Sequence, residues 1–569
     1  MKWKSEEDKK NHWWLDNAHV PHPASPLYAD IGKWWKMAGP ALDRVWLPSA
    51  KDWTGIIVNG YVYSAVVPRP VEEQKKAAAY FNLVMPAYIK LMPEFWEKRY
   101  EPELRRNLEF LDGFDYENAS LGELMILLED GLEIFDRHWL IHWVLNLVQF
   151  MAFINYESVY EEVIGKVPED DMARPLATFQ DKNMEVLDGI WKLKEGIKKN
   201  PKLRETVTSE KAGDILKALE KNADGQVLLR DLNAFLKEYG NKAVYAHEFI
   251  YPTWREDPSP VIETIKSYLE VDYDFPAQIE KIKTDRNAAV KDALSKIKNE
   301  KDRQRFQDAL TAAQRLAPLT PNHHFYIDQW SNAALRKIFL AIGERFRSEG
   351  VIDDKHDILY LELLEVKELA GNLQAFDPKP RIADRKRVRQ EQFALKPPID
   401  LGTVTEETAS DIVKIKLWGW VPPEQRVEKP KQLRGLPAAT GIVEGVARIV
   451  ISPAEFNQVQ PGDILVCDMT NPVWVPLFSK VKGVVTNSGG MLAHAAIVAR
   501  EFGIPAVVGT MNATRVIANG QRIRVDGTSG NVSERVAGTK GSSDCAGTIK
   551  GENAWSYEGP NPNPYVQEH

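Results

Sequence analysis

Between about residues 70 and 370, apolar positions recur three and four apart in stretches rich in Leu, Glu, Lys and Ala, the period of amphipathic helices packed on one another. Val71–Met85, Leu121–Ile154, Ala212–Tyr239, Pro276–Lys298 and Asp328–Ser348 carry the pattern most clearly, within a predicted helical domain over 71–376. The first 70 residues differ, being crowded with Trp and Pro and closing on GIIVNGYVYSAVV, whose alternation predicts a short hairpin in a small cap. Near residue 377 the helical pattern lapses: DPKPRIADRKRVRQEQ holds seven charges in its first eleven residues, and the polar stretch VPPEQRVEKPKQLRG follows at 421–435. An exposed connector over 377–435 is the expectation. From 436 to 536 short apolar runs alternate with glycine turns (GIVEGVARIV, GDILVCDM, GVVTN, PAVVGT, RIRVDG), predicting a compact α/β domain with one strong helix near Leu492–Phe502. Residues 537–569, rich in Gly, Asn, Ser and Pro, predict an irregular tail.

Length adds that 569 residues exceed what one core organises, so the chain is multidomain. A net charge of -8 gives no reason to expect nucleic acid. The two cysteines, Cys467 and Cys545, are too few for a disulfide framework, and the charged start MKWKSEEDKKNHWW lacks the apolar run of a signal peptide, so a cytoplasmic location is expected. The most apolar window, Trp139–Ile154, is short for a membrane span and holds His142, Asn146 and Gln149, so a buried helix is expected there and no membrane association.

Chemistry concentrates in Val484-Val-Thr-Asn-Ser-Gly-Gly-Met-Leu-Ala-His-Ala-Ala-Ile-Val-Ala-Arg. A strand runs into Gly489-Gly490, which permit close approach of a phosphate to the main chain, and a helix then begins. His494 falls in its first turn, where unpaired N–H groups and the positive dipole end favour an anion such as a phosphorylated imidazole. A neutral ring nitrogen is nucleophilic near physiological pH, and the nitrogen–phosphorus bond is reactive enough to pass the group on. For an isolated histidine, a plain helix-end role would be the commoner one.

The stretch resembles the phosphohistidine signature of the phosphoenolpyruvate-utilising enzymes, a family that includes pyruvate phosphate dikinase, phosphoenolpyruvate synthase, rifampin phosphotransferase and phenylphosphate synthase. The likeness runs from GDILVCDMTNPVWVPLF at 462–478 to RIRVDGTSGNV at 522–532. It implies a mainly α-helical acceptor-binding region followed by a compact α/β swivelling domain that carries phosphate on His494. One departure stands out: many members place Ser or Thr one or two positions before the histidine, where this chain has Ala493 and Leu492.

The resemblance also frames what is not seen. A pyruvate-type acceptor domain would be a barrel of about 250 residues, for which the tail has no room. The P-loop pattern is absent, and the first 370 residues read as helices rather than ATP-grasp sheets. ATP with Mg2+ is therefore expected on a separate ATP-grasp partner chain. The favoured acceptor is a phenol or hydroxyaryl compound giving an aryl phosphate; an antibiotic or other alcohol, or a purely phosphocarrier module without an acceptor, are the alternatives.

Within the helical region, WWLDNAHVPHPASPL, GNKAVYAHEFIYPTWREDPSPV and HHFYIDQWSNAALRKIFLAIGERF resemble, more loosely, the acceptor-binding segment of rifampin phosphotransferase relatives. His323 and His324 are candidates to deprotonate an acceptor hydroxyl or contact its phosphate. Arg255 is a candidate phosphate clamp, a pairing with Glu256 or Asp257 being the ordinary account. His138, His142, Trp143, His247 and Trp254 are candidate substrate contacts, although tryptophan at helical spacing is usually core and a histidine pair one turn apart is usually structural. No metal ligand set is assigned. The EKNADG run at 220–225 lacks the terminal glutamate of a calcium loop and fits a turn between helices, and Arg381–Arg389 fits a solvated connector.

Overall fold

Ser120 starts the helix that organises the molecule: its hydroxyl accepts from the Glu123 N–H at 3.3 Å while its own N–H donates to the Glu123 carboxylate at 2.7 Å. In the computed structural model this helix runs Leu121–Val163, 43 residues, and the Trp139–Ile154 window lies within it. The structure describes residues 6–534 apart from 18, 168, 210–211, 222, 271, 410, 412–413, 416–419, 421, 423–431, 452, 471–473 and 491–492. The 537–569 tail and most of 421–435 lie outside the described residues. Among the described residues no helix is long and apolar enough to cross a membrane.

The long helix is packed by Val71–Phe95, Glu300–Leu316 and Asn332–Ser348. Between Glu300–Leu316 and Asn332–Ser348 the chain forms a short helix, Leu319–His324, and then a π-helical turn, Phe325–Ser331. Such widened turns are rare and recur at functional sites. The Ala212–Tyr239 stretch is two helices, Ala212–Leu219 and Ala223–Tyr239, with the EKNADG run at their junction.

At the N-terminal end, strands Ala50–Val58 and Tyr61–Pro68 form a hairpin turned by Asn59 and Gly60, both at positive φ. His12–Leu15 pairs antiparallel beside it and Asp400–Gly402 pairs beside that, giving four strands. This sheet sits on the helical body through a shared core, in which Trp14, Trp34 and Trp53 join Trp139, Trp143 and Leu335 of the helices.

The charged stretch after residue 377 departs from the expected connector. Lys379–Phe393 is a helix whose Arg385 is 5% exposed, bonded to Glu362 at 3.0 Å, to the Tyr360 carbonyl at 2.8 Å and to Glu365. Lys386 reaches Asp357 and Arg381 reaches Glu365. Arg381, Arg385 and Lys386 are paired to carboxylates supplied by Lys355–Tyr360 and Leu363–Gly371 and their caps, so this face of the helix docks on the helical body, while Arg387 pairs with Asp384 and Glu391 of its own helix on the exposed side.

The chain thus has a mainly helical region followed by an α/β domain. That domain is built on an eight-stranded sheet in the order Gln432–Arg434, Asn531–Glu534, Arg522–Asp526, Ile442–Ile449, Ile464–Cys467, Gly483–Thr486, Ala506–Val508, Leu436–Ala439. The four strands from Ile442–Ile449 to Ala506–Val508 are parallel, and the rest are antiparallel. The domain is docked: Tyr245 donates to the Ile451 carbonyl at 2.8 Å, Asn17 to the Met511 carbonyl at 3.0 Å, and Lys480 pairs with Glu270 at 2.6 Å.

Candidate functional site

The buried strand Gly483–Thr486 delivers the chain into a turn before the helix His494–Phe502. Gly489 has φ +119°, and a Cβ there would meet the Ala493 Cβ at 2.9 Å, so only glycine fits. Ala493 donates to the Gly490 carbonyl at 3.0 Å, and the Thr486 hydroxyl donates to the Ser488 carbonyl at 2.7 Å, fixing the turn. Ala493, the extended residue before the helix, caps it with no side-chain bond, so the helix start keeps donors for an anion. His494 is the first helical residue; its side chain, and Leu492 altogether, lie outside what the structure describes.

A cavity of about 980 Å³ opens against this turn and runs into the helical region. Ser488, Gly489, Gly490 and Ala493 line one end, and His142, Trp143, His247, His324 and Asp328 line another part. The resident imidazoles are organised by Asp328: His247 Nε2 lies 2.9 Å from its Oδ1 and His142 Nδ1 lies 3.2 Å from its Oδ2. Burial would raise the Asp328 carboxyl, but His324, His142 and the bonds from His142 and His247 outweigh it and hold it well below the usual range. The other nitrogen of His247, Nδ1, is buried and has no hydrogen-bond partner. Burial lowers the pKa of His247, against the opposing pull of Asp328, and that of His324 to about 4. Trp143 stacks on Trp34 with centroids 5.7 Å apart and gives the cavity a flat apolar wall.

Several expected residues stand elsewhere. His323 is fully buried behind His324, with Nδ1 2.7 Å from the Leu319 carbonyl, so it is not placed to reach an acceptor in the cavity. His138 points away from the cavity, bonded to Ser331 at 2.7 Å and Asn107 at 3.2 Å. Trp254 is core, 2% exposed, with the Lys242 ammonium 6.0 Å from its ring. Arg255 is no phosphate clamp: it holds Asp112 at 2.9 Å and the Leu236 and Lys237 carbonyls at the end of a helix. Its suggested partner Glu256 is taken by Arg336 at 2.8 Å.

Two cavity residues went unnoticed in sequence. Asp328 sits four residues after His324, a spacing that puts both on one helical face. Lys242 stands five residues before His247 and lines the cavity; burial brings its ammonium down to about 8.

Residues 459–530 match the family described as PEP-utilising enzyme, mobile domain. The chain carries the mobile domain of the PEP-utilising enzymes. Residues 145–320, which supply Lys242, His247 and the start of the Leu319–His324 helix, match the fourth domain of rifampicin phosphotransferase. An uncharacterised phosphotransferase of Bacillus subtilis is 31% identical over 535 residues, 92% of this chain and 62% of its own length. Chondramide synthase of Chondromyces crocatus is 29% identical over 93% of this chain and 14% of its own length. A rifampicin phosphotransferase of Streptomyces sviceus is 31% identical over 59% of this chain and 37% of its own length. The chain therefore spans less than two thirds of each of these relatives. A solution structure of Enzyme I overlaps 63% of this chain and 82% of its own at 14% identity and a TM-score of 0.15, too slight a likeness to bear on the fold.

Proposed function

We propose that the chain is a phosphotransferase component that carries a phosphoryl group on His494 and passes it to a hydroxyl compound held in the cavity. The observation that carries this reading is the single cavity shared by the Gly489-Gly490 turn and the His247–Asp328 pair. In the transfer step His247 Nδ1 takes the hydroxyl proton, the acceptor oxygen forms a bond to phosphorus, and the phosphorus–nitrogen bond to His494 breaks with its electron pair returning to that ring. Asp328 holds the His247 tautomer and offsets the charge of the imidazolium that forms, the logic by which a carboxylate supports a histidine base. Lys242 lines the same cavity and is assigned as a phosphate contact.

A volume of about 980 Å³ lies at the top of the range of roughly 300–1,000 Å³ for small-molecule sites. That favours a large hydroxylated compound with an apolar aromatic body, of the size class suggested by relatives named rifampicin phosphotransferases, over a simple phenol. A deep cavity also weighs against a carrier module with no acceptor of its own. The phosphoryl group would come from Mg-ATP held by an ATP-grasp unit outside the described residues, on a separate chain. The imidazole-rich set around Asp328 does not suit Mg2+, which takes oxygen ligands, and no step above runs through that ion.

Incubation with labelled Mg-ATP and a separate ATP-grasp chain tests the reading. It predicts acid-labile label on the wild-type chain and none on His494→Ala; equal labelling of both would remove His494 from the reaction.

A further inference from the structure

Next to the cavity, the end of Leu319–His324 and the π-helical turn after it complete a donor set of which the proposed transfer uses only Asp328, through its Oδ1. His142 from the long helix, His323, His324 and Asp328 each offer one ligand atom, and the four atoms lie within 4.8 Å of one another. His323 is the least ordinary of them. Its Nδ1 is fixed at 2.7 Å from the Leu319 carbonyl, which must accept, so the bare lone pair is on Nε2. That Nε2 is buried in a residue of 0% exposure and has no hydrogen-bond partner. A buried polar atom left so is costly, and a metal ion held among the neighbouring imidazoles would relieve it.

The remaining ligands are held from behind in the manner of metal sites. Asp328 Oδ1 is occupied by His247 Nε2 at 2.9 Å and His142 Nε2 is supported by Asn146 at 2.7 Å, so the ion would enter between Asp328 Oδ2 and His142 Nδ1, now 3.2 Å apart, and replace the proton they share. Outer contacts of this kind set the tautomer and direction of first-sphere ligands.

We infer that His142, His323, His324 and Asp328 bind one divalent transition-metal ion of the Zn2+ class. Three imidazole nitrogens with one carboxylate oxygen match zinc and cobalt, whereas Mg2+ and Ca2+ take oxygen sets. Zinc bonds of about 2.0–2.2 Å place tetrahedral donors roughly 3.3 Å apart, so the most separated of the four atoms must close in by up to about 1.5 Å. The ion offsets the buried Asp328 charge, and it has a route in, because His142, His324 and Asp328 also line the cavity.

The test uses the full chain, stripped with chelator and free of nucleotide, acceptor and partner, so its result is separate from the phosphotransfer reading. Titration with Zn2+ by calorimetry, and with Co2+ by visible absorption, is expected to show one saturable ion per chain and cobalt bands of a nitrogen-rich site. His323→Gln, checked for fold by circular dichroism, is expected to weaken binding by at least about tenfold, as even outer-sphere changes commonly do. His356→Gln, at an exposed histidine, is expected to change nothing. Absence of saturable binding to the wild-type chain, or equal binding by a folded His323→Gln variant, would overturn the site.

Discussion

His247 Nε2 lies 2.9 Å from Asp328 Oδ1, and the other nitrogen of the same ring is buried without a partner. One residue comes from the loop before Ser259–Glu270 and the other from the π-helical turn, so the pair exists only once the helices have packed. Replacing His247 by Asn keeps a polar side chain but removes the base. Transfer from His494 to the acceptor is expected to fall about 10²–10⁴-fold, the usual worth of general base catalysis, with labelling of His494 unchanged. Rapid-quench measurement of the two steps separates these effects; a loss of labelling would place His247 in the wrong half of the reaction.

Gly489→Ala introduces a side chain at φ +119°, against the Ala493 Cβ. Strain of about 1–3 kcal/mol in the turn is expected, with reduced labelling of His494 and little change in the helical region. Thermal unfolding together with label incorporation checks this; a variant with wild-type labelling would show that the turn's shape does not matter.

His138 gives the fold a pH dependence. Ser331 donates its hydroxyl to the Tyr326 carbonyl at 3.1 Å, so it accepts from His138 Nδ1, and Nε2 lies 3.2 Å from the Asn107 amide. Burial first, then Arg137, depresses its pKa from 6.5 to about 3. The unfolded chain therefore takes up the proton first, and stability present above about pH 6.5 is lost as pH falls toward about 3, by up to about 1.4 kcal/mol per unit. His138→Asn is expected to make the acid limb of a stability–pH curve shallower by that slope. An unchanged limb would mean that His138 titrates normally in the fold.

Arg385→Ala leaves Glu365 buried with one charge partner fewer. A loss of about 3–5 kcal/mol is expected from breaking a buried pair, read as a lower denaturant midpoint. A solvated connector would give a change within about 0.5 kcal/mol, so the measurement decides between the docked helix and the extended reading.

What could be read ahead of the structure follows from how local each signal is. The glycine turn into His494–Phe502 is written in consecutive residues, and the long helix in its own period, so both were legible. Arg385 was not, because its partners Glu362 and Glu365 lie 23 and 20 residues back, and a charged run looks solvated until its distant carboxylates are placed. Arg255 misled for the same reason, its partner Asp112 being 143 residues away. Asp328 was visible as a neighbour of His324, but its importance depends on His142 and His247, 186 and 81 residues distant. Among the tryptophans, composition offered several aromatic walls, and packing left Trp143 on the cavity while Trp139 and Trp254 went to core.

Direct discharge of a preloaded chain tests the central claim most sharply. Phosphoramidate can phosphorylate a histidine without nucleotide or partner, after which a panel of hydroxyl compounds, rifampicin and substituted phenols among them, is added and the acid-labile phosphate followed by mass spectrometry. The account predicts phosphate on the peptide containing His494, its loss accelerated by at least one hydroxyl compound that gains a phosphoryl group, and no acceleration in His247→Asn. Phosphate settling on another histidine, or leaving His494 at the rate of simple hydrolysis with every compound, would contradict it.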